Sequence, residues 1–242
     1  MSLSRREFLA AGAVTAASAL APGLRLVELA QARAPEDAVS KLQRWGLLID
    51  VAQCADGCNA CVTACHEENG VTSHNRPATD AQWIRKVTIK DRQTGYVQTL
   101  PLMCQHCEEP PCVDVCPTGA SFKRADGIVL VDKHTCIGCR YCMMACPYKA
   151  RSFIHEDTKD QKPHAPRGKG TVESCTLCVH KVDRGDGTTA CAEACKKEGH
   201  GAILFGNLND ANSEIRKRLA SRPSTQLRPD LNLNTGVRYT GI

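Results

Sequence analysis

Sixteen cysteines constrain this 242-residue chain more than any other feature, because they form four groups of four with none left over. The groups lie at residues 54–65, 104–116, 136–146 and 175–195. Each group contains a pair separated by two residues, a spacing that lets neighbouring thiols reach one compact centre. With only four Phe, four Tyr and two Trp, the chain lacks the residues of an ordinary aromatic core. We therefore expect bound inorganic groups to organise the fold.

The third group, Cys136-x2-Cys139-x2-Cys142-x3-Cys146-Pro147, matches the bacterial ferredoxin motif C-x2-C-x2-C-x3-C-P. In that motif three thiolates bind one cluster, and the fourth binds the neighbouring cluster. Sixteen thiolates at four per cluster predict four [4Fe–4S] clusters. The function that this cofactor content indicates is electron transfer.

Two other uses of cysteine compete with this interpretation. Disulfide scaffolds of exported proteins also contain even numbers of cysteines, and zinc ribbons also use C-x2-C pairs. Disulfides do not require triplets at two-residue spacing, and zinc ribbons need two separated pairs. Three of the four groups instead place a third cysteine close behind the first pair, and Cys-Pro steps occur at 116–117 and 146–147. These features favour iron–sulfur clusters.

The ferredoxin rule for the fourth cysteine predicts how the groups share ligands. The second and third groups exchange their fourth cysteines, and the outer groups pair by elimination. The predicted ligand sets are named sites 1 to 4: Cys54, Cys58, Cys61 and Cys195 (site 1); Cys65, Cys175, Cys178 and Cys191 (site 2); Cys104, Cys107, Cys112 and Cys146 (site 3); Cys116, Cys136, Cys139 and Cys142 (site 4). The module that holds sites 3 and 4 is therefore nested, in sequence, within the module that holds sites 1 and 2.

The chain as a whole is predicted to be an α+β protein of tandem ferredoxin-like modules. The predicted regions are an outer module at 45–70 and 172–206, an inner module at 101–154, a β-hairpin insertion at 83–100, and a helix followed by an extended tail at 207–242. We expect the tail to lie over the surface or on a partner. Residues 155–171 show no periodicity and predict a surface loop.

Residues 1–32 predict a twin-arginine signal peptide. Arg5 and Arg6 precede a mildly apolar stretch, 9–21, that is too short to span a bilayer. Small residues around Ala32 and Ala34 offer two cleavage sites, of which the first is preferred. Cluster assembly needs thiolates, whereas the periplasm favours disulfides. We therefore expect the protein to fold around its clusters in the cytoplasm and to reach the periplasm folded.

The positive charge of the chain does not indicate nucleic-acid binding. The formal charge is +5, and residues 1–32 contribute three Arg and two Glu, which leaves +4 for the remainder. Each oxidised cluster with four thiolates carries about −2, so four clusters reverse the sign. No C-x-x-C-H haem motif or nucleotide-binding loop occurs. No apolar segment of membrane length follows residue 32, so we expect membrane contact only through partner subunits.

Several motifs carry a family resemblance: 104–112 (CQHCEEPPC), 116–120 (CPTGA), 136–142 (CIGCRYC), 146–148 (CPY) and 201–210 (GAILFGNLND). Over nearly all of 45–242 the chain resembles the four-cluster ferredoxin-like subunits of the dimethyl-sulfoxide/polysulfide/nitrate reductase type. The resemblance implies ligand sharing as in sites 1 to 4. It also implies a polytopic quinone-reactive membrane subunit as one partner and a cytochrome c or molybdopterin subunit as another. Sixteen cysteines for four clusters leave no iron open to a substrate, so we expect no substrate site on this chain.

The predicted export signal narrows the choice within that family. Candidates are the DsrO-like subunit of the sulfite-reduction-associated Dsr membrane complex, NrfC-like proteins, and exported tetrathionate, thiosulfate or polysulfide reductase subunits; we expect the DsrO-like type. Two departures from the family pattern lie at site 1, where three residues separate Cys54 from Cys58 and Lys196 replaces the usual Pro after Cys195. His106 is expected to tune its cluster through a contact and not to bind iron.

Overall fold

A computed structural model describes residues 39–159 and 161–242. The predicted signal peptide, 1–32, lies outside the described residues. The strands are β1 (Trp45–Asp50), β2 (Ile84–Lys90), β3 (Val97–Met103), β4 (Ser121–Lys123), β5 (Val129–Val131), β6 (Ser152–Phe153), β7 (Val172–Glu173), β8 (Ile203–Asn207) and β9 (Val237–Thr240). The helices are α1 (Ala60–Asn69), α2 (Pro111–Asp114), α3 (Tyr141–Ala145), α4 (Val179–Arg184), α5 (Ala190–Lys197) and α6 (Glu214–Ser221). Short helices and small sheets thus make a mixed α and β fold.

A three-stranded sheet has the strand order β8–β1–β9. β1 pairs with β8 antiparallel and with β9 parallel. Three successive residues, Leu47, Leu48 and Ile49, are buried, as expected of a central strand that is covered on both faces. Position 46 of β1 requires glycine, because the Cβ of any other residue would lie 2.2 Å from the carbonyl oxygen of Gly236.

The end of the tail corrects the sequence prediction. The helix in 207–242 is present as α6, but the last residues do not lie over the surface. β9 pairs with β1, and Val237 and Tyr239 are fully buried. The Tyr239 hydroxyl donates to the carbonyl oxygen of Pro101 at 3.1 Å and accepts from Gln105 Nε2 at 3.2 Å. A four-residue strand shows too little alternation to be recognised from sequence.

The predicted hairpin is formed by β2 and β3, which pair from Ile84 opposite Met103 to Lys90 opposite Val97. The second strand runs three residues beyond the predicted end and delivers the chain directly to Cys104. The end of the hairpin where Ile84 pairs with Met103 is buried, whereas Tyr96 at the turn is exposed. Within the inner module, β5 pairs antiparallel with β4.

The segment 155–171 is not simply a surface loop. Ala165 and Arg167 are buried. Arg167 donates Nε and Nη2 to the two carboxylate oxygens of Glu173 at 2.9 and 2.8 Å, and Glu173 is fully buried. A bidentate ion pair of this kind holds the segment against the rest of the fold. Among residues 39–159 and 161–242, no helix is long and apolar enough to cross a bilayer.

Candidate iron–sulfur centres

The structure brings the sixteen thiols together in four groups that coincide in membership with sites 1 to 4. The thiols of sites 1, 2 and 4 each line a cavity. In site 3, Cys107 is close enough to Cys104, Cys112 and Cys146 to be repelled by their thiolates. Four groups with the same set of four thiol donors suit copies of one inorganic group.

Helices α1 and α5 explain why the outer groups share ligands. Cys61 and Cys65 lie four residues apart on α1, and Cys191 and Cys195 lie four residues apart on α5. Residues at this spacing occupy one face of a helix, one turn apart. The two helices pack together, and each contributes one thiol to site 1 and one to site 2. The helices must therefore run in opposite directions across the two sites.

Site 1 is completed by Cys54 and Cys58, from the loop that follows β1. A lysine of β2 holds this loop: Lys86 Nζ donates to the carbonyl oxygens of Ala55 and Cys58, both at 2.9 Å. Burial, with repulsion from neighbouring thiolates, raises the pKa of Cys61 to about 12. The ammonium of Lys86 opposes this rise.

The cavity of site 2 is apolar, with Leu47, Trp83, Ile84 and Met103 among its walls. Burial raises the pKa of Cys65 and of Cys175 well above the ordinary thiol value, and neighbouring thiolates add to the effect. Four buried thiols so close together keep their protons unless a metal cation takes the place of the protons. The chemistry of the site thus favours metal over free thiols.

Site 3 begins with Cys104, directly after β3, and all four of its thiols are buried. Burial raises the pKa of Cys104 to about 12. The backbone N–H of Ala150 donates to Cys146 Sγ at 3.5 Å. A guanidinium also reaches this site, because Arg151 Nη2 donates to Cys112 Sγ at 3.0 Å.

Site 4 is the most accessible of the four. Of the sixteen cysteines, all within the described part of the chain, only Cys139 is exposed. Backbone N–H groups of Ser121 and Val172 donate to Cys116 Sγ and Cys136 Sγ, both at 3.4 Å. Burial raises the pKa of Cys116, but hydrogen bonds from Ser121, Thr118 and Ala120 outweigh burial and leave the pKa lowered. Donors that stabilise thiolate before iron arrives suit a ligand position.

The residues present fit four [4Fe–4S] clusters. Each site offers four thiols, and N–H or guanidinium donors to sulfur accompany sites 2, 3 and 4. The cysteines would hold each cluster as thiolates, and a bound cluster supplies one-electron oxidation and reduction. Which thiols bind iron, and in which set, stays a prediction that the experiments below address.

Sequence reasoning missed Arg151 and Lys86, because neither belongs to a cysteine motif and their partners lie far away in the chain. His106 is almost fully buried, and its Nδ1 accepts from the Val129 N–H at 3.1 Å. Burial, with the nearby charge of Arg151, lowers the pKa of His106 to about 3, so this imidazole is neutral. His106 therefore ties β5 to the loop between Cys104 and Cys107.

Comparison with known proteins places this geometry in a family. Two family models, each described as a 4Fe-4S dicluster domain, match residues 53–120 and 95–207, and together they include all sixteen cysteines. The Hdr-like menaquinol oxidoreductase iron-sulfur subunit 1 of Archaeoglobus fulgidus is 41% identical over 267 aligned positions, which cover 99% of this chain and 98% of that protein. The chain belongs to the 4Fe-4S dicluster iron–sulfur subunits.

Two further members of this family extend the comparison. A tetrathionate reductase subunit of Salmonella typhimurium is 36% identical, and the alignment covers 100% of this chain and 90% of that protein. Protein NrfC of Escherichia coli is 36% identical over 93% of this chain and 89% of that protein. As a dicluster iron–sulfur subunit with sixteen cysteines, the chain carries four [4Fe–4S] clusters and is an electron-transfer protein without a substrate site of its own.

Proposed function

We propose that this chain is the periplasmic iron–sulfur subunit that passes electrons between a quinone-reactive membrane subunit and a redox partner in a Dsr-type complex of sulfur metabolism. Two relatives support the parts of this proposal. One is named as a subunit of a menaquinol oxidoreductase, which supports a quinol donor or acceptor. Another is named as a tetrathionate reductase subunit, which supports sulfur chemistry at the other end.

The observation that carries the proposal is the order of the four sites and their exposure. Sites 1 and 2 share α1 and α5. Met103 lines site 2, and the next residue, Cys104, belongs to site 3. Cys112 of site 3 and Cys142 of site 4 both lie close to the guanidinium of Arg151. These contacts support the order 1–2–3–4.

Access to solvent differs along this series. All eight thiols of sites 2 and 3 are buried, whereas site 1 contains the half-buried Cys54 and Cys58, and site 4 contains the exposed Cys139. An electron-transfer protein that connects two partners requires such an arrangement, with two buried centres between two accessible ones. An enzyme acting on a small substrate needs instead one open centre.

The accessible end at site 4 has the character of a docking surface. Ile137, Tyr141 and Met144 are all more than half exposed and lie close in sequence to Cys139. Exposed apolar side chains grouped in this way mark contact surfaces for other proteins. We assign this surface to a redox partner whose own cofactor must approach site 4.

The test uses the complex in membranes of a strain that makes this chain. Menaquinol should reduce the clusters, as followed by electron paramagnetic resonance, and deleting the chain should stop electron flow to the partner. Cys175→Ser, in buried site 2, should interrupt flow while the complex still assembles; Glu214→Gln, on the exposed helix α6, is the matched control. Undiminished flow in Cys175→Ser, or turnover of a small sulfur substrate by the isolated chain, would contradict the proposal.

A second candidate is the electron-transfer subunit of an exported molybdopterin reductase for tetrathionate, thiosulfate or polysulfide, or of an NrfC-like nitrite system. The 36% identity over the whole chain to the tetrathionate reductase subunit of Salmonella typhimurium favours it. Metal and haem analysis of the gently solubilised complex separates the candidates. Stoichiometric molybdenum would support a molybdopterin reductase, and nitrite reduction by the complex would support an NrfC-like system. The absence of both beside a quinol-reactive subunit would support the first candidate.

A further inference from the structure

Arg151 is a buried cation that forms no ion pair with an Asp or Glu side chain of the described residues. Its relative exposure is 5%, and its Nη2 donates to Cys112 Sγ at 3.0 Å. No carboxylate lies within salt-bridge distance of it among the described residues. The other buried arginine, Arg167, is by contrast fully paired with Glu173. Burying an unpaired guanidinium is costly, so its compensating charge must come from another source.

Thiolates of two different sites supply that charge. Besides its hydrogen bond to Cys112 Sγ at 3.0 Å, the guanidinium lies close enough to Cys104 and Cys142 to attract their thiolates. Cys104 and Cys112 belong to site 3, whereas Cys142 belongs to site 4. The guanidinium therefore lies between the two inner sites and interacts with both.

Two of its donors remain available for further acceptors. Nε and Nη1 are buried, and neither finds a hydrogen-bond partner among residues 39–159 and 161–242. Buried N–H groups are paired in nearly all proteins. A [4Fe–4S] cluster brings inorganic sulfide as an acceptor in addition to its thiolates, which is the chemistry that these donors lack in the protein alone.

We propose that Arg151 is a shared tuning residue that makes the clusters of sites 3 and 4 easier to reduce, an inference that rests on the iron–sulfur function proposed above. Reduction adds negative charge to a centre that already carries about −2. A fixed buried cation stabilises the reduced state more than the oxidised state, because little water is present to screen it. Hydrogen bonds to cluster sulfur act in the same direction.

A purely structural role predicts something different. If Arg151 only held α2 against the chain that follows α3, its loss would lower stability or iron content without selecting particular potentials. Electrostatic tuning instead predicts a shift confined to the two sites that the guanidinium contacts. The reduction potential of each cluster is therefore the measurement that separates the two roles.

The experiment uses the anaerobically purified, cluster-loaded full chain, titrated with redox mediators and followed by electron paramagnetic resonance. Signals are assigned to sites with a single-ligand serine variant of each site. In Arg151→Met, which keeps the length and removes the charge, the site 3 and site 4 signals should titrate at lower potential, and those of sites 1 and 2 should stay in place. In Arg151→Lys, which keeps the charge, the shift should be smaller. Arg216→Met, on the exposed face of α6, controls for net charge.

Unchanged potentials at sites 3 and 4 in a fully iron-loaded variant would overturn the inference, and so would an equal shift at all four sites. If Arg151→Met fails to retain iron, Arg151→Gln carries the test, because it keeps an N–H donor for Cys112, removes the charge and must still lower the potentials of sites 3 and 4 alone. The titration needs no partner, so a failure of electron exchange with quinol would overturn the proposed function and leave this inference standing.

Discussion

The exchange of ligands between α1 and α5 can be tested one thiol at a time. Cys61 and Cys65 are separated by about 6 Å along the α1 axis, as are Cys191 and Cys195 along α5. Each helix therefore spans the gap between two cavities and supplies one ligand to each. We predict that Cys61→Ser and Cys195→Ser perturb the same cluster, and that Cys65→Ser and Cys191→Ser perturb the other.

The magnitude follows from the stoichiometry of the sites. The intact chain should contain about 16 non-haem irons, and complete loss of one cluster should leave about 12. Conversion of one cluster to a three-iron centre should leave about 15. Iron analysis therefore shows how much is lost, and electron paramagnetic resonance of each reduced variant shows which signal is lost.

The competing arrangement makes the opposite prediction. If each cysteine group bound its own cluster, Cys61→Ser and Cys65→Ser would remove one signal, and Cys191→Ser and Cys195→Ser would remove another. That result would refute the antiparallel helix geometry as the basis of ligand sharing. Zinc in place of iron in the intact chain would refute the cluster assignment altogether.

Three further predictions address the cluster loop, the tail and export. Gly138→Ala should prevent cluster binding at site 4, because Gly138 has a φ of +70° and a Cβ there would lie 2.0 Å from a backbone carbonyl oxygen. The control is Gly57→Ala, at a similar φ of +75° but with open space around the Cβ. This control should keep its full iron content. Tyr239→Phe removes two buried hydrogen bonds and should cost about 1–3 kcal/mol, seen as a lower temperature for loss of the visible cluster absorbance; an unchanged temperature would contradict a stabilising role for β9. Replacing Arg5 and Arg6 by Lys should leave an unprocessed, cluster-loaded precursor in the cytoplasm, and normal periplasmic accumulation would argue against twin-arginine export.

The cysteine spacing alone was enough to predict the cofactor and its number, because spacing is local. Two residues between thiols bring them to one centre whatever the remainder of the chain does, and sixteen thiols fit four clusters. The β2–β3 hairpin and the central strand β1 were predictable for the same reason. Their alternating or continuous apolar residues stand next to one another in sequence.

The tertiary structure alone decided what depends on residues far apart in the chain. The sequence could pair the outer groups only by elimination, whereas the antiparallel packing of α1 and α5 shows how Cys65 reaches Cys191. Residues Val237–Thr240 form β9 because they pair with the edge of β1. The four residues themselves carry no pattern that would predict this pairing. Arg151 lies between two sites because the segment that follows the third cysteine group folds back against Cys112 of the second group. Local spacing determines which centre a segment can hold, but the charge around that centre, its exposure and its neighbours are set by long-range packing.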